Sequence, residues 1–528
     1  MSASLDASLE LAQPDTALEL PNGPPITYDA ALNTDRNIVL ETQYVTATKA
    51  LYRRLWADRN IMSALIKHHM GLGDQVDCTI ARQNQWIRGS FNVCIPVEVR
   101  SSDLCQKLIL RCAMPHKLAE SHNPGSVDEK VGCEVGAYAW IQERCPDIRI
   151  PHLYGFGFSD QRHFTHEMQR SLFVRMWQGL RRWFHALVRR PGFLSRYSMH
   201  ASNCRLPTAY MLLEHVGSEN SQMLSLTWNR YRGDAARRKN LFQGISRLIL
   251  SLSRVPQPRI GSFQFGDDGT VTLTNRPLVC SVMMLENEGT PVAMQRETTY
   301  ASTEPFVADM LSFHDRRFLR HPNMVYDEED CRAEMAARLL LRMLAHRYIR
   351  HDRRNGPFVL QLDDFHASNV FVDAEWNITS LIDLEWLCAL PVERLAVPYW
   401  LTGCAIDGIR GDRGEEYNRS REEFMNVFEA EERNVTADVS SLSRTMRETW
   451  ESGGVWFWQG MMSINAMSTL FTDHICSRFS TRLSPRDEQL LSRFWSEDAT
   501  EVVASKVEQY NQYSAELRSL FHRGTATV

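Results

Sequence analysis

Two short apolar runs, Val370 to Val372 and Ile378 to Ile382, are rich in β-branched and aromatic residues, and Asp373, Ala374, Glu375, Trp376 and Asn377 separate them. That pattern predicts a β-hairpin. Upstream, the continuous apolar run Phe358 to Leu362 predicts a buried strand. An alternating run from Val93 to Val99, a turn at Arg100 to Asp103 and a further run from Lys107 to Ala113 predict another pair of adjacent strands. Val131, Val135, Tyr138 and Ile141 recur at helical spacing. Ala209 to Gly217 reads as an apolar strand that breaks into Glu214, His215, Val216 and Gly217. The stretch Arg259 to Leu278 predicts a hairpin with a polar tip at Asp267, Asp268 and Gly269, where D-D-G is first a turn. Asp327 is placed to cap a helix running through Met335, Leu339, Leu340 and Met343 towards Tyr348. From Pro398 to about Phe479 the pattern is helical and rich in Trp and Met; Trp450, Trp456 and Trp458 suit either a core or a platform for a flat ligand.

The hairpin has a chemical consequence. Antiparallel strands have their open ends side by side, so Asn369, just before the first strand, and Asp383, just after the second, are expected to be neighbours. The strand Phe358 to Leu362 delivers Asp364 to the same edge. The result is a group of hard oxygen ligands suited to Mg²⁺, with one carboxylate left as a base. Each residue also has an ordinary role, since Asp after a strand is a common turn former and Asn before one a common cap. The joint pattern D-x-x-x-x-N, hairpin, I-D-x-E points instead to phosphoryl transfer.

Composition narrows the setting. With 528 residues, 43% hydrophobic and 10% aromatic, the chain is long enough for two or three domains with substantial cores. A net charge of -5 without a basic stripe interleaved with aromatics argues against nucleic acid as a partner. The 12 Cys include no C-x-x-C pair, so neither a zinc site nor a disulfide framework is indicated. The first residues carry Asp6, Glu10, Asp15 and Glu19 with no base before Arg36, the reverse of a mitochondrial presequence, and they lack a secretory apolar core. No uncharged apolar run reaches about 18 residues, so no membrane span is expected and a cytoplasmic protein is. No G-x-S-x-G, H-E-x-x-H or Rossmann fingerprint competes for the chemistry.

The segment F-V-L-Q-L-D-D-F-H-A-S-N, followed by I-D-L-E-W, resembles the catalytic and metal-binding region of the aminoglycoside phosphotransferase (choline kinase-like) family, especially its fungal branch. That resemblance implies a bilobal protein-kinase-like α+β fold, with a small β-rich N-lobe and a larger, mainly helical C-lobe. It implies an ATP- and Mg²⁺-dependent phosphotransferase acting on a hydroxyl of a small molecule. By the same resemblance Asp364 corresponds to the catalytic Asp, Asn369 and Asp383 to the Mg²⁺ ligands, and Glu385 to the acid closing the second motif. Leu362 stands where the family has a His, while His366 keeps the second one. The order G-S-F-N, strand, turn, L-I-L-R-C-A is similar to the family's phosphate loop and following strand, which makes Gly89 and Ser90 phosphate-loop candidates. Arg111 stands where the kinase template has a Lys, with Glu134 as its helix partner. Glu214 to Val216 correspond to the hinge whose main chain meets the adenine. The expected organisation is a flexible tail over 1–45, an N-lobe over 46–215 with a basic helical insertion at about 160–206, a C-lobe over 216–500, and a C-terminal helix and tail over 501–528. The alternative is a pseudokinase or nucleotide-binding scaffold, favoured by Leu362 and Arg111 and opposed by the joint presence of Asp364, Asn369 and Asp383.

One segment stands apart. Gln169 to Tyr197 combines Arg170, Arg175, Arg181, Arg182, Arg189 and Arg190 with Leu172, Phe173, Trp177, Leu180, Trp183, Phe184 and Leu187. The expectation is an insertion that packs its aromatics on the N-lobe and leaves its arginines solvated. A basic amphipathic helix of this kind can also lie on an anionic membrane surface or bind a partner.

Overall fold

The computed structural model describes residues 17–525 apart from 21–22, 74, 102–104, 189–190, 436–440 and 480–481. Its strands, in chain order, are β1 (Asp77–Ile80), β2 (Ile87–Arg88), β3 (Asn92–Arg100), β4 (Cys105–Ala113), β5 (Leu153–Gly157), β6 (His163–His166), β7 (Phe193–Leu194), β8 (Tyr197–Met199) and β9 (Tyr210–Glu214). These are followed by β10 (Gln222–Met223), β11 (Gly261–Phe265), β12 (Thr270–Asn275), β13 (Phe358–Leu362), β14 (Val370–Val372), β15 (Ile378–Leu381) and β16 (Leu387–Pro391). The fold is mixed α and β. An eight-stranded sheet runs β1-β3-β4-β9-β5-β6-β8 with β2 added to β3, a five-stranded sheet runs β13-β16-β11-β12-β7, and a small sheet runs β10-β14-β15.

Strand alternation decides which way Arg111 points. In β3 and β4, Val93, Ile95, Val97, Leu108, Leu110 and Cys112 share one face, where they form a core with Leu55, Met62, Leu65 and Ile66. Arg111 lies on the opposite face, directly across from Cys94 in the register. The helix Ser126–Arg144 packs there, buried on nearly all sides. It lies between the two large sheets, with Val131 and Val135 in one core with Phe156, Phe164, Phe263 and Phe265. A glycine permits that approach: a Cβ on Gly136 would come within 2.7 Å of the Phe263 Cβ.

The expected hairpin forms, with Val370 opposite Leu381. Its turn is held by Asp373, whose side chain accepts from the Glu375 and Asn377 amides at 3.0 and 2.8 Å. Phe358–Leu362 is a strand, paired through its length with β16. The helix Glu328–Tyr348 begins at its Asp327 cap, which accepts from the Asp330 amide at 2.9 Å. At the D-D-G tip the Asp268 side chain accepts from the Thr270 amide at 2.9 Å, a turn role. Trp456 and Trp458 are buried in a core with Phe457 and Met461, and Trp456 stacks on His474 at 3.8 Å. No helix among the described residues is long and apolar enough to cross a membrane.

Two expectations are corrected. The first concerns the tail over 1–45, of which residues 1–16 lie outside the described residues. Beyond them the segment holds the helix Tyr28–Leu32 and the start of the helix Ile38–Ala57. Tyr28, Ala31 and Ile38 are buried against Tyr513, Leu517 and Phe521 of the last helix, so apolar burial orders this segment. The second concerns the basic insertion. Its helix, Leu172–Leu187, buries Gln178 and leaves Phe173, Trp177, Trp183 and Phe184 exposed, so it is turned the opposite way to the amphipathic expectation. The insertion bridges the two large sheets, because β7 pairs with β12 and β8 pairs with β6.

Candidate active site

The segment between β15 and β16 turns sharply at Asp383, whose φ of 63° is left-handed, a region Asp tolerates better than most residues. Beyond that turn both Asp383 and Glu385 meet Arg111. The Arg111 guanidinium donates to Asp383 Oδ1 at 2.6 Å and to Glu385 Oε2 at 2.9 Å, and its other terminal nitrogen pairs with Glu134. The expected strand-cation to helix-acid pair is therefore present in the geometry. It is part of something larger.

Lys130, one helical turn before Glu134, donates to Glu134 Oε2 at 2.8 Å and also pairs with Glu385. Asn92, on the same face of β3 as Cys94, accepts from Lys130 at 3.1 Å and donates to Glu385 at 2.8 Å. Lys130 and Glu134 are 1% and 0% exposed, so these charges persist only because they are mutually paired. Burial works to lower the pKa of both Arg111 and Lys130, but their carboxylate neighbours outweigh it and raise both. Two cations face three carboxylates, Glu134, Asp383 and Glu385, whose oxygens lie within 4.8 Å of one another. By formal count the carboxylates outnumber the cations by one.

Asp364 lies on the loop after β13. Burial first, then the nearby carboxylates of Asp383, Asp363 and Glu385, push its pKa up to about 7. His366 Nε2 lies 3.7 Å from Asp364 Oδ1. The His366 ring also accepts from the Ser368 amide at 3.2 Å, a contact that holds the loop. Asn369 is buried, and its amide nitrogen donates to the Asp364 main-chain carbonyl at 2.8 Å. That bond leaves the Asn369 side-chain oxygen available as a ligand. The Ile382 amide donates to the Asn369 carbonyl at 2.9 Å, which brings Asn369 beside Asp383. The hairpin thus joins the two candidate metal ligands, as its spacing predicts. Leu362, where the resembling family has a His, is opposite Leu387 in β16.

The loop is braced from beneath by Asp363. This carboxylate accepts from the Cys280 amide at 3.1 Å, at the start of the helix Cys280–Asn287, and pairs with Arg394. Gly89 and Ser90 lie exposed in the turn between β2 and β3. The Gly89 amide donates to the Asn92 carbonyl at 2.9 Å, and Phe91 meets Trp386 edge-on at 5.0 Å. This turn is therefore tied to the D-L-E-W segment while its tip stays open. At the end of β9, the Glu214 amide donates to the His152 carbonyl at 2.9 Å, and its carboxylate accepts from Arg149 at 2.6 Å. Glu214 is anchored within the sheet, and Val216 lies half-buried two residues beyond it.

Sequence reasoning missed Lys130, Asn92, Asp363 and Arg394. A signal for Lys130 existed: it precedes Glu134 by four residues in a helical pattern, in a chain whose 59 basic residues include few lysines. Asn92 closes the G-S-F-N motif, but its partners, like those of Arg394, depend on strand register and loop packing.

No family model matches the chain, and no curated protein matches it. Among solved structures, the chain is similar to an ethanolamine kinase of Plasmodium vivax at 10% identity and a TM-score of 0.33, covering 82% of each chain. It is similar to macrolide 2'-phosphotransferase type I at 10% identity and a TM-score of 0.31, covering 86% of this chain and 97% of that one. It is also similar to spectinomycin phosphotransferase APH(9)-Ia, in complex with ADP and spectinomycin, at 12% identity and a TM-score of 0.32, over 85% and 98% of the two chains. At that distance the site's own geometry, rather than the likeness, carries the functional reading.

Proposed function

We propose that this chain is an ATP- and Mg²⁺-dependent phosphotransferase of the aminoglycoside phosphotransferase type, acting on a hydroxyl of a small molecule. The observation that carries the reading is the convergence of Asp364, Asn369 and Asp383 at one end of a single hairpin, facing the Arg111–Glu134 pair. Asn369 and Asp383 fit Mg²⁺ by donor chemistry: both offer hard oxygens, and the Asn369 nitrogen is already occupied by the Asp364 carbonyl. Mg²⁺ held there supplies neutralisation of phosphate charge when bound. Asp364 orients the acceptor hydroxyl and takes its proton. Arg111, steadied by Glu134, neutralises the donor's phosphates, the exposed turn at Gly89 and Ser90 closes over them, and the main chain at Glu214 to Val216 holds the base. In this reading residues 46–215 form the nucleotide-binding lobe, 216–500 the lobe that carries the catalytic loop and takes the acceptor, and 501–528 a C-terminal helix and tail.

A second reading, a scaffold that binds nucleotide without transfer, draws on one observation. Arg111 donates to Asp383 at 2.6 Å, so the candidate metal ligand already has a cation beside it. Two measurements separate the readings. Thermal stabilisation by ATP with Mg²⁺ tests binding. Phosphate release or transfer over a panel of hydroxylated acceptors, wild type against Asp364→Asn, tests chemistry. The proposal expects stabilisation together with a rate that falls at least a hundredfold in the variant. Stabilisation with no transfer in the wild type supports the scaffold, and equal rates in the two proteins overturn the role of Asp364.

A further inference from the structure

The helix Leu172–Leu187 is amphipathic in the inverted sense. Phe173, Met176, Trp177, Leu180, Trp183 and Phe184 fall at helical spacing on one side, and each is more than half exposed to solvent. The opposite side faces the protein through polar contacts. Gln178 is buried and accepts from Arg181 at 3.2 Å, while Arg182 donates to Glu167 at 3.1 Å in a two-pronged pair. A helix that only needed to join two strands would put its apolar side inward, because exposing several large apolar side chains forfeits about 1.5–3 kcal/mol each. A contiguous exposed apolar face of this kind marks an interaction surface.

Charge selects the occupant. The helix contains no Asp or Glu; Arg181 flanks its apolar face, Arg175 lies with Arg182 towards the other side, and Arg170 precedes the first turn, so the element as a whole is cationic. Three acids lie nearby: Glu167 holds Arg182, Asp267 pairs with Arg162, and Asp268, beside Arg181, accepts from the Thr270 amide at 2.9 Å. A second copy of this chain would bring the same arginines together with no acid on either helix to answer them. An anionic lipid surface answers all three features at once. Its headgroups meet Arg181 and the net positive charge of the helix, its interface takes the two Trp rings, and its acyl boundary takes the Phe, Met and Leu side chains. At about 1.5 Å of rise per residue the helix is too short to span a bilayer and suits one lying flat in the headgroup plane.

We propose that this helix is a peripheral membrane-docking element that seats the protein on negatively charged lipid. The proposal stands apart from the phosphotransferase reading and survives its failure. The test is co-sedimentation of the purified full chain with vesicles of phosphatidylcholine containing about one-third phosphatidylserine, and with vesicles of phosphatidylcholine alone. The expected result is binding to the anionic vesicles that weakens about tenfold on neutral vesicles and also at high salt. A triple variant, Phe173→Ser with Trp177→Ser and Trp183→Ser, should lose at least about tenfold in binding while unfolding at the wild-type temperature, because all three side chains are already exposed. Wild type left in the supernatant with anionic vesicles overturns the proposal, as does a variant that binds equally well. A wild-type dimer that stays off the anionic vesicles and that the same variant converts to monomer also overturns it and assigns the face to a second copy.

Discussion

Replacing Lys130 by Met removes a buried charge from the centre of the candidate site while keeping most of the side-chain volume. Lys130 donates to Glu134 at 2.8 Å and also pairs with Glu385, and it is 1% exposed. With an effective dielectric constant of about 20, the Lys130–Glu134 pair alone is worth about 6 kcal/mol before desolvation is counted. Desolvation of the ammonium offsets much of this, so the pair contributes less in net terms. What decides the outcome is the set of charges left behind. Arg111 alone would then face Glu134, Asp383 and Glu385 in a buried pocket, and leaving such a charge uncompensated costs about 3–5 kcal/mol. Urea unfolding of the purified protein should therefore show Lys130→Met destabilised by about 3 kcal/mol or more. Adding Glu385→Gln to the same chain removes the orphaned carboxylate and should restore part of the loss, a coupling read from the double-mutant cycle. If Lys130→Met unfolds within about 1 kcal/mol of wild type, the charges are not held as argued and the network does not organise the site.

Two further outcomes follow from groups outside the site. Burial pushes the Glu288 carboxyl from its ordinary value of 4.5 up to about 7, so the folded chain holds that proton more tightly than the unfolded chain does. The stability it contributes is complete below about 4.5 and is lost as pH rises to about 7, so Glu288→Gln should stabilise the protein by up to about 3 kcal/mol at pH 8 and change little near pH 4.5. An equal change in unfolding temperature at the two pH values would refute this. Gly136→Ala would set a Cβ 2.7 Å from the Phe263 Cβ, where neither backbone can yield freely, and should cost about 1–3 kcal/mol. Unchanged stability would show that the helix Ser126–Arg144 does not pack that closely on β11.

Much of the site was legible because its ligands lie close in sequence. The hairpin Val370–Leu381 is specified by β-branched runs and a turn opened by Asp373 and closed by Asn377, and once it forms, Asn369 and Asp383 must be neighbours. The helix Glu328–Tyr348 was legible from its Asp327 cap and its apolar period. The orientation of the insertion was not, because periodicity shows that a helix has two faces without showing which one the protein will use. Arg182 has Glu167 to meet on the inner side, while Phe173 stays exposed on the outer one; both facts depend on the neighbouring strands. The order of the segment after Thr27 was hidden for a similar reason, since its apolar partners lie in a helix near the other end of the chain.

The sequence by itself determined the local elements and the chemical type of the site, because turn residues, alternation and short spacings act through neighbours along the chain. Only the tertiary structure decided how the charges are shared. Lys130, Asn92 and Arg111 reach Glu385 from three different segments, and in a buried pocket the position of each charge is set by which others are within reach to offset its loss of water.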